Sequence, residues 1–150
     1  FMLGNTALLG WTSCVAMAVV LSLTLPVALL LSRVLDALSL GEGVARSLGV
    51  SLAWARAALV LVLALAAAGA VAQAGLVAFV GLVAPHLVRP WCGAKHRVLL
   101  LHSTLMGGVL LCAADVLSRW VIAPQELPVG VLTAVMGGLY LLVLLYRRGL

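Results

Sequence analysis

The 150-residue chain is 65% hydrophobic and 9% charged, carries nine Lys and Arg against four Asp and Glu, and has a mean hydropathy of +1.29. A soluble domain is only about half apolar, so this composition argues against a soluble globular protein and marks a membrane protein whose basic residues, set between apolar runs, orient it in a bilayer rather than bind nucleic acid. Three widely spaced cysteines, Cys14, Cys92 and Cys112, give neither a disulfide framework nor a zinc knuckle, and Cys14 and Cys112 read as small buried apolar residues.

Phe1 to Ser32 is free of charge, and Trp11 to Leu31 supplies the roughly 20 residues that a membrane-spanning helix needs. The run has no basic leader region and no processing site, so it reads as a crossing rather than a secretory signal. Its abrupt opening at Phe1 leads to the expectation of a longer parent chain. A polar interval from Arg33 to Arg56 follows, in which Ser39, Leu40, Gly41 and Glu42 spell a capping box. Leu40, Val44 and Leu48 fall four apart, Glu42 and Arg46 pair in the favourable order, and Gly49 suits a helix end. The expected element is a short amphipathic helix over residues 39–49, lying in the lipid interface or docking a cytoplasmic partner.

Ala57 to Val88 is uncharged for 32 residues, too long for one helix and short for two. The basic residues decide the matter. A single crossing would split them four to five, whereas two crossings turning near Ala74 and Gly75 put Arg33, Arg46, Arg56, Arg89, Lys95, Arg97, Arg147 and Arg148 on one side and Arg119 alone on the other. The second arrangement obeys the positive-inside rule. Its return pass, GLVAFVGLVAPHLVRP from Gly75 to Pro90, is of the length of re-entrant or buried segments and reads as broken by its prolines. Val98 to Leu117 then leads out and Pro128 to Leu145 leads back. The fold expected is an all-α polytopic transmembrane bundle of about five crossings, one of them short, with Phe1 outside and Leu150 in the cytoplasm. Small residues at Gly130, Ala134 and Gly138, and the run from Ala64 to Ala74, suit close helix packing.

Chemical motifs are scarce. There is no phosphate loop, HExxH or GxSxG, and no pair of carboxylates within one crossing, so catalysis is not expected and any ATP is bound by another polypeptide. His86, Cys92 and His96 have metal-like spacing, but a fourth ligand is missing and Arg89, Lys95 and Arg97 repel a cation; no metal site is expected. Asp115 and Arg119, one helical turn apart, form an intrahelical ion pair or a functional site at the membrane edge, and Arg119 can receive an acidic partner outside, with Glu126 nearby. Gln73 reads as pathway-lining or hydrogen-bonded within the bundle, with the second reading favoured.

Several strings together resemble the permease subunits of binding-protein-dependent ABC importers for iron-siderophores, haem and cobalamin, the FecCD-type family. They are LSLGEGVARSLGV (Leu38 to Val50), AFVGLVAPHLVRP (Ala78 to Pro90), KHRVLL (Lys95 to Leu100), ADVLSR (Ala114 to Arg119) and ELPVGVLTAVMGG (Glu126 to Gly138). The resemblance implies the C-terminal half of such a subunit, crossings six to ten of ten, in a bacterial inner membrane. It further implies an identical or different permease partner, two cytoplasmic ATPase subunits holding ATP and Mg, and an extracytoplasmic substrate-binding protein. It makes residues 39–49 the coupling helix, with Gly41, Glu42, Arg46 and Gly49 at its characteristic positions. Arg119 becomes similar to the arginine that meets an acidic residue of the docked binding protein, and Pro85, His86 and Arg89 match the family's PHxxR at the cytoplasmic end of the short crossing. An ion-coupled secondary transporter using Asp115 and His86 is the alternative.

Overall fold

The computed structural model describes residues 10–47, 49, 51–121 and 128–147, with the side chains of Val121 and Arg147 left out. Leu48, Glu126 and Arg148, which figure in the sequence reading, lie outside the described residues. Among the described residues six helices follow in order: α1 (Trp11–Ser39), α2 (Glu42–Ser47), α3 (Leu52–Ala74), α4 (Val80–Cys92), α5 (His96–Val121) and α6 (Val129–Arg147). α4 lies along α5 and α1 along α3, while α5 joins the two pairs by touching α1 and α6.

Four helices, α1, α3, α5 and α6, are long and apolar enough to cross a membrane. At 1.5 Å per residue, α1 is about 43 Å long against a hydrocarbon core of about 30 Å. It overshoots the expected end at Leu31 and carries Arg33 and Asp36 beyond the apolar segment. The turn expected near Ala74 and Gly75 is present. Gly75 has φ 71° and ψ −168°, an open stretch runs to Phe79, and the 13 residues of α4 follow. That helix spans only about 20 Å, but five preceding residues reach up to about 17 Å when extended. The segment expected as the return pass is therefore half-unwound. Its prolines do not break it: α4 runs without interruption through Pro85 and Pro90, and the unwinding lies upstream of both.

Packing is inverted relative to a soluble bundle. Ala37, Ala55, Ala74, Ala84, Ala114, Ser32, Ser118 and Thr133 are buried, whereas Leu30, Leu63, Leu105 and Leu142 are exposed. Hydrocarbon offers large apolar side chains as good an environment as a core does, so close backbone approach through small residues decides the contacts. A Cβ on Gly69 of α3 would come within 2.7 Å of Val20 in α1. In α6 the close contact is made by Gly137, packed against the Phe79 side chain, rather than by the expected Gly138, which has open space around it. Cys14 and Cys112 are exposed among the lipid-facing residues, not buried as expected; Cys92 is buried. The side chain of Gln73 is half-buried and makes no hydrogen bond among the described residues, contrary to expectation.

All four tryptophans are 76–84% exposed and stand at helix ends. Trp11 opens α1 and Trp120 closes α5 at one end of the bundle; Trp54 opens α3 and Trp91 closes α4 at the other. Indole rings favour the two membrane–water interfaces, so their placement agrees with the alternation derived from charge.

Candidate functional site

The two ends of the bundle differ in chemistry. At one end, α2 bridges α1 and α3. Its start differs from the expected capping box: Ser39 is the last residue of α1, and its Oγ donates to the Asp36 carbonyl at 2.7 Å instead of reaching Glu42. Helix α1 consumes the serine because its hydroxyl finds a local carbonyl one turn back. The first α2 bond instead runs from the Ala45 N–H to the Gly41 carbonyl at 3.0 Å, so the helix starts at Glu42 rather than at Ser39. Gly41 and Gly49 flank it with φ 108° and 79°, and the Gly49 N–H donates to the Arg46 carbonyl.

Ala45 anchors α2, being fully buried, while Leu40 and Val44 on the expected apolar face are exposed. Glu42 pairs with Arg46 at 3.7 Å and also accepts from Arg56 of α3. The second tie was not evident from spacing, because the two residues lie 14 apart on different helices. All three side chains are more than half exposed, so the pairs contribute little stability. They fix orientation and leave a polar, accessible surface.

Between the end of α1 and the junction of α4 with α5 lies a small hollow of mixed polarity, about 230 Å³, lined by Ser39, Arg89, Lys95 and His96 among others. It brings Arg89 to the α2 end of the molecule. His86, one turn earlier, faces α6 and meets the Tyr140 ring edge-on with centroids 5.9 Å apart. Pro85 is half-buried in the middle of α4. The three residues with metal-like spacing go to separate partners: His86 to Tyr140, Cys92 weakly to the Val98 carbonyl at 3.9 Å, and His96 to Asp36. That last pair, 60 positions apart, escaped the sequence reading altogether.

At the opposite end, Arg119 grips Asp115 through Nε at 3.0 Å and through a second nitrogen at 3.4 Å. Its side chain is 53% exposed. The intrahelical pair is thus present, and the guanidinium still reaches solvent. Separated by 23 positions, His96 and Arg119 stand about 35 Å apart along α5.

Large side chains facing outward, small ones packed inward and, among the described residues, Asp, Glu, Lys and Arg gathered towards two ends mark a multi-pass α-helical membrane protein. The FecCD transport family model matches residues 1–147. The hemin transport system permease protein of Yersinia pestis is 42% identical over 99% of this chain and 45% of its own length. The Fe(3+) dicitrate transport system permease protein FecD of Escherichia coli is 47% identical over 83% of this chain and 39% of its own, and the vitamin B12 import system permease protein of Vibrio cholerae is 39% identical over 99% and 44%. Among solved structures, a metal-chelate type ABC transporter in an inward-facing conformation superposes with a TM-score of 0.90 at 33% identity, covering 97% of this chain and 48% of that one. The chain belongs to the FecCD transport family, as its motifs implied. It spans less than half the length of these relatives.

Proposed function

We propose that this chain is the C-terminal half, crossings six to ten, of the permease subunit of a binding-protein-dependent ABC importer for an iron-siderophore, haem or cobalamin. Relatives named for hemin, ferric dicitrate and vitamin B12 transport support the substrate class. The observation that carries the mechanism is the placement of α2: a short, anchored helix with an exposed Glu42–Arg46 pair and exposed Leu40 and Val44, standing at the end that gathers the basic residues. On this reading α2 is the coupling helix, the α2 end and the C-terminus are cytoplasmic, and Gly41, Glu42, Arg46 and Gly49 meet one of two ATPase subunits. Those subunits hold ATP and Mg. Pro85, His86 and Arg89 close the short crossing at the same face. Arg119, at the other face, exchanges its bond to Asp115 for an acidic residue of the binding protein, and a second permease subunit completes the pathway.

The test is ATP-driven uptake by the full-length permease, reconstituted with its ATPases and binding protein, against a panel of ferric siderophores, haem and cobalamin. Uptake of one of these that needs ATP and survives a protonophore is expected. Glu42→Ala and Arg46→Ala should lower uptake while membrane insertion stays normal. Uptake that follows an ion gradient without ATP would instead establish secondary transport.

A further inference from the structure

One carboxylate joins two distant segments at the α2 end of the bundle. Asp36 Oδ1 accepts a hydrogen bond from the His96 backbone N–H at 2.9 Å and another from its ring Nδ1 at 2.6 Å. An ionised carboxylate only accepts, so Nδ1 carries the proton. His96 opens α5, and the first bond therefore satisfies an amide that the initial helical turn leaves without an intrahelical partner. The carboxylate also stands at the positive end of the α5 dipole.

The position of Asp36 gives this pair its meaning. It lies within the last turn of α1, six residues before Glu42, so it is held rigidly to the stalk that leads into α2. On the other flank Glu42 accepts from Arg56 of α3. α2 is consequently fastened to α3 directly and, through the end of α1, to α5. Of the two ties, that of Asp36 is the less exposed, with side chains 40% and 32% accessible, and it concentrates two bonds on one oxygen. α5 then runs unbroken to the Asp115–Arg119 pair at the far end.

We propose that Asp36 and His96 are positioning residues that transmit movement between α2 and α5, linking the ATPase face to the binding-protein face along a single helix. This rests on the importer reading above. Coupling between distant sites needs rigid elements joined by discrete contacts. α5 is such an element, and the Asp36 tie is the hydrogen-bonded attachment, beside the packing of α1 on α5, to the segment that carries α2. Without the tie, α2 moves with the end of α1 while α5 stays behind.

The experiment measures stimulation of ATP hydrolysis by the binding protein, in the full-length permease assembled with its ATPases in proteoliposomes; it needs no identified substrate. Asp36→Ala removes both bonds, His96→Ala removes only the ring bond, and Asp36→Asn keeps an oxygen that accepts from both the backbone amide and the ring Nδ1–H. Stimulation is expected to fall about fivefold or more in Asp36→Ala, less in His96→Ala and little in Asp36→Asn. The double alanine variant should be no worse than Asp36→Ala, because both changes break one tie. A merely structural role lowers the yield of assembled complex but leaves stimulation of the remainder unchanged, and that result overturns the proposal. Should Asp36→Ala fail to assemble, an unchanged response in His96→Ala overturns it equally. A wild-type complex that ignores the binding protein overturns the importer reading and the proposal together, whereas equal responses in wild type and Asp36→Ala overturn the proposal alone.

Discussion

Arg119 and Gly137 show how differently single residues act here. Arg119 is half-exposed and already holds Asp115 in a two-point pair, so an incoming acidic residue must compete with an existing partner. A charge of this kind governs encounter more than residence. Arg119→Ala should slow association of the binding protein severalfold at low ionic strength, with the difference shrinking as salt screens the approach; surface plasmon resonance across a salt series checks this. Gly137 acts through space rather than charge. It packs on Phe79, whose own φ of 67° is unusual for a bulky residue, and a Cβ there would overlap the ring's attachment. Gly137→Ala should cost about 1–3 kcal/mol by overpacking, read as a lower unfolding midpoint in detergent. Gly138→Ala, with nothing within 4 Å of the added carbon, should be close to neutral.

Among the elements, the chain changes direction around the two short helices at glycines, one of which, Gly75, also caps the long helix α3. α2 lies between Gly41 and Gly49, α4 between Gly75 and Gly93, and these are the positive-φ glycines among the described residues. At Gly75 and Gly93 the backbone has φ 71° and 60° with ψ −168° and −151°, a region in which a side chain collides with its own backbone. Such residues let a helix end abruptly and the chain leave at a new angle. Gly75→Ala and Gly93→Ala should therefore each cost about 1–3 kcal/mol, whereas Gly81→Ala inside α4, with open space around it, should be neutral or gain up to about 1 kcal/mol from helix propensity. Thermal unfolding of the three variants provides the comparison. The prolines of α4 drew attention in the sequence because Pro usually ends a helix, yet the helix passes through both. α4 lies along α5 and also meets α6, and those contacts hold the helix where Pro85 and Pro90 each remove a backbone donor.

For the whole molecule, charge, aromatic placement and polar ties give one orientation. Asp36 meets His96 and Glu42 meets Arg56 at a single end, where Trp54 and Trp91 also stand. In a variant with Cys14, Cys92 and Cys112 replaced, cysteines introduced at Ser47 and at Trp120 should react with a membrane-impermeant maleimide from opposite sides of the membrane, Ser47 from the cytoplasmic one; labelling from the same side would refute the alternation. Much of this was legible beforehand. Hydropathy and the spacing of basic residues are sums over many side chains, and they sufficed to give a helical membrane bundle and the turn at Gly75; capping and i,i+4 spacing gave a brief helix carrying Glu42 and Arg46. The i,i+4 pairs Glu42–Arg46 and Asp115–Arg119 also follow from sequence, since helical geometry alone brings them together. Tertiary structure decided what depends on the rotation and height of one helix against another: Gly137 rather than Gly138 against Phe79, Glu42 reaching Arg56, and Asp36 reaching His96. Lipid accepts any apolar face equally well, so hydrophobic periodicity carries little record of which face turns inward. That choice is made by small residues and by a few polar contacts between segments far apart in the chain.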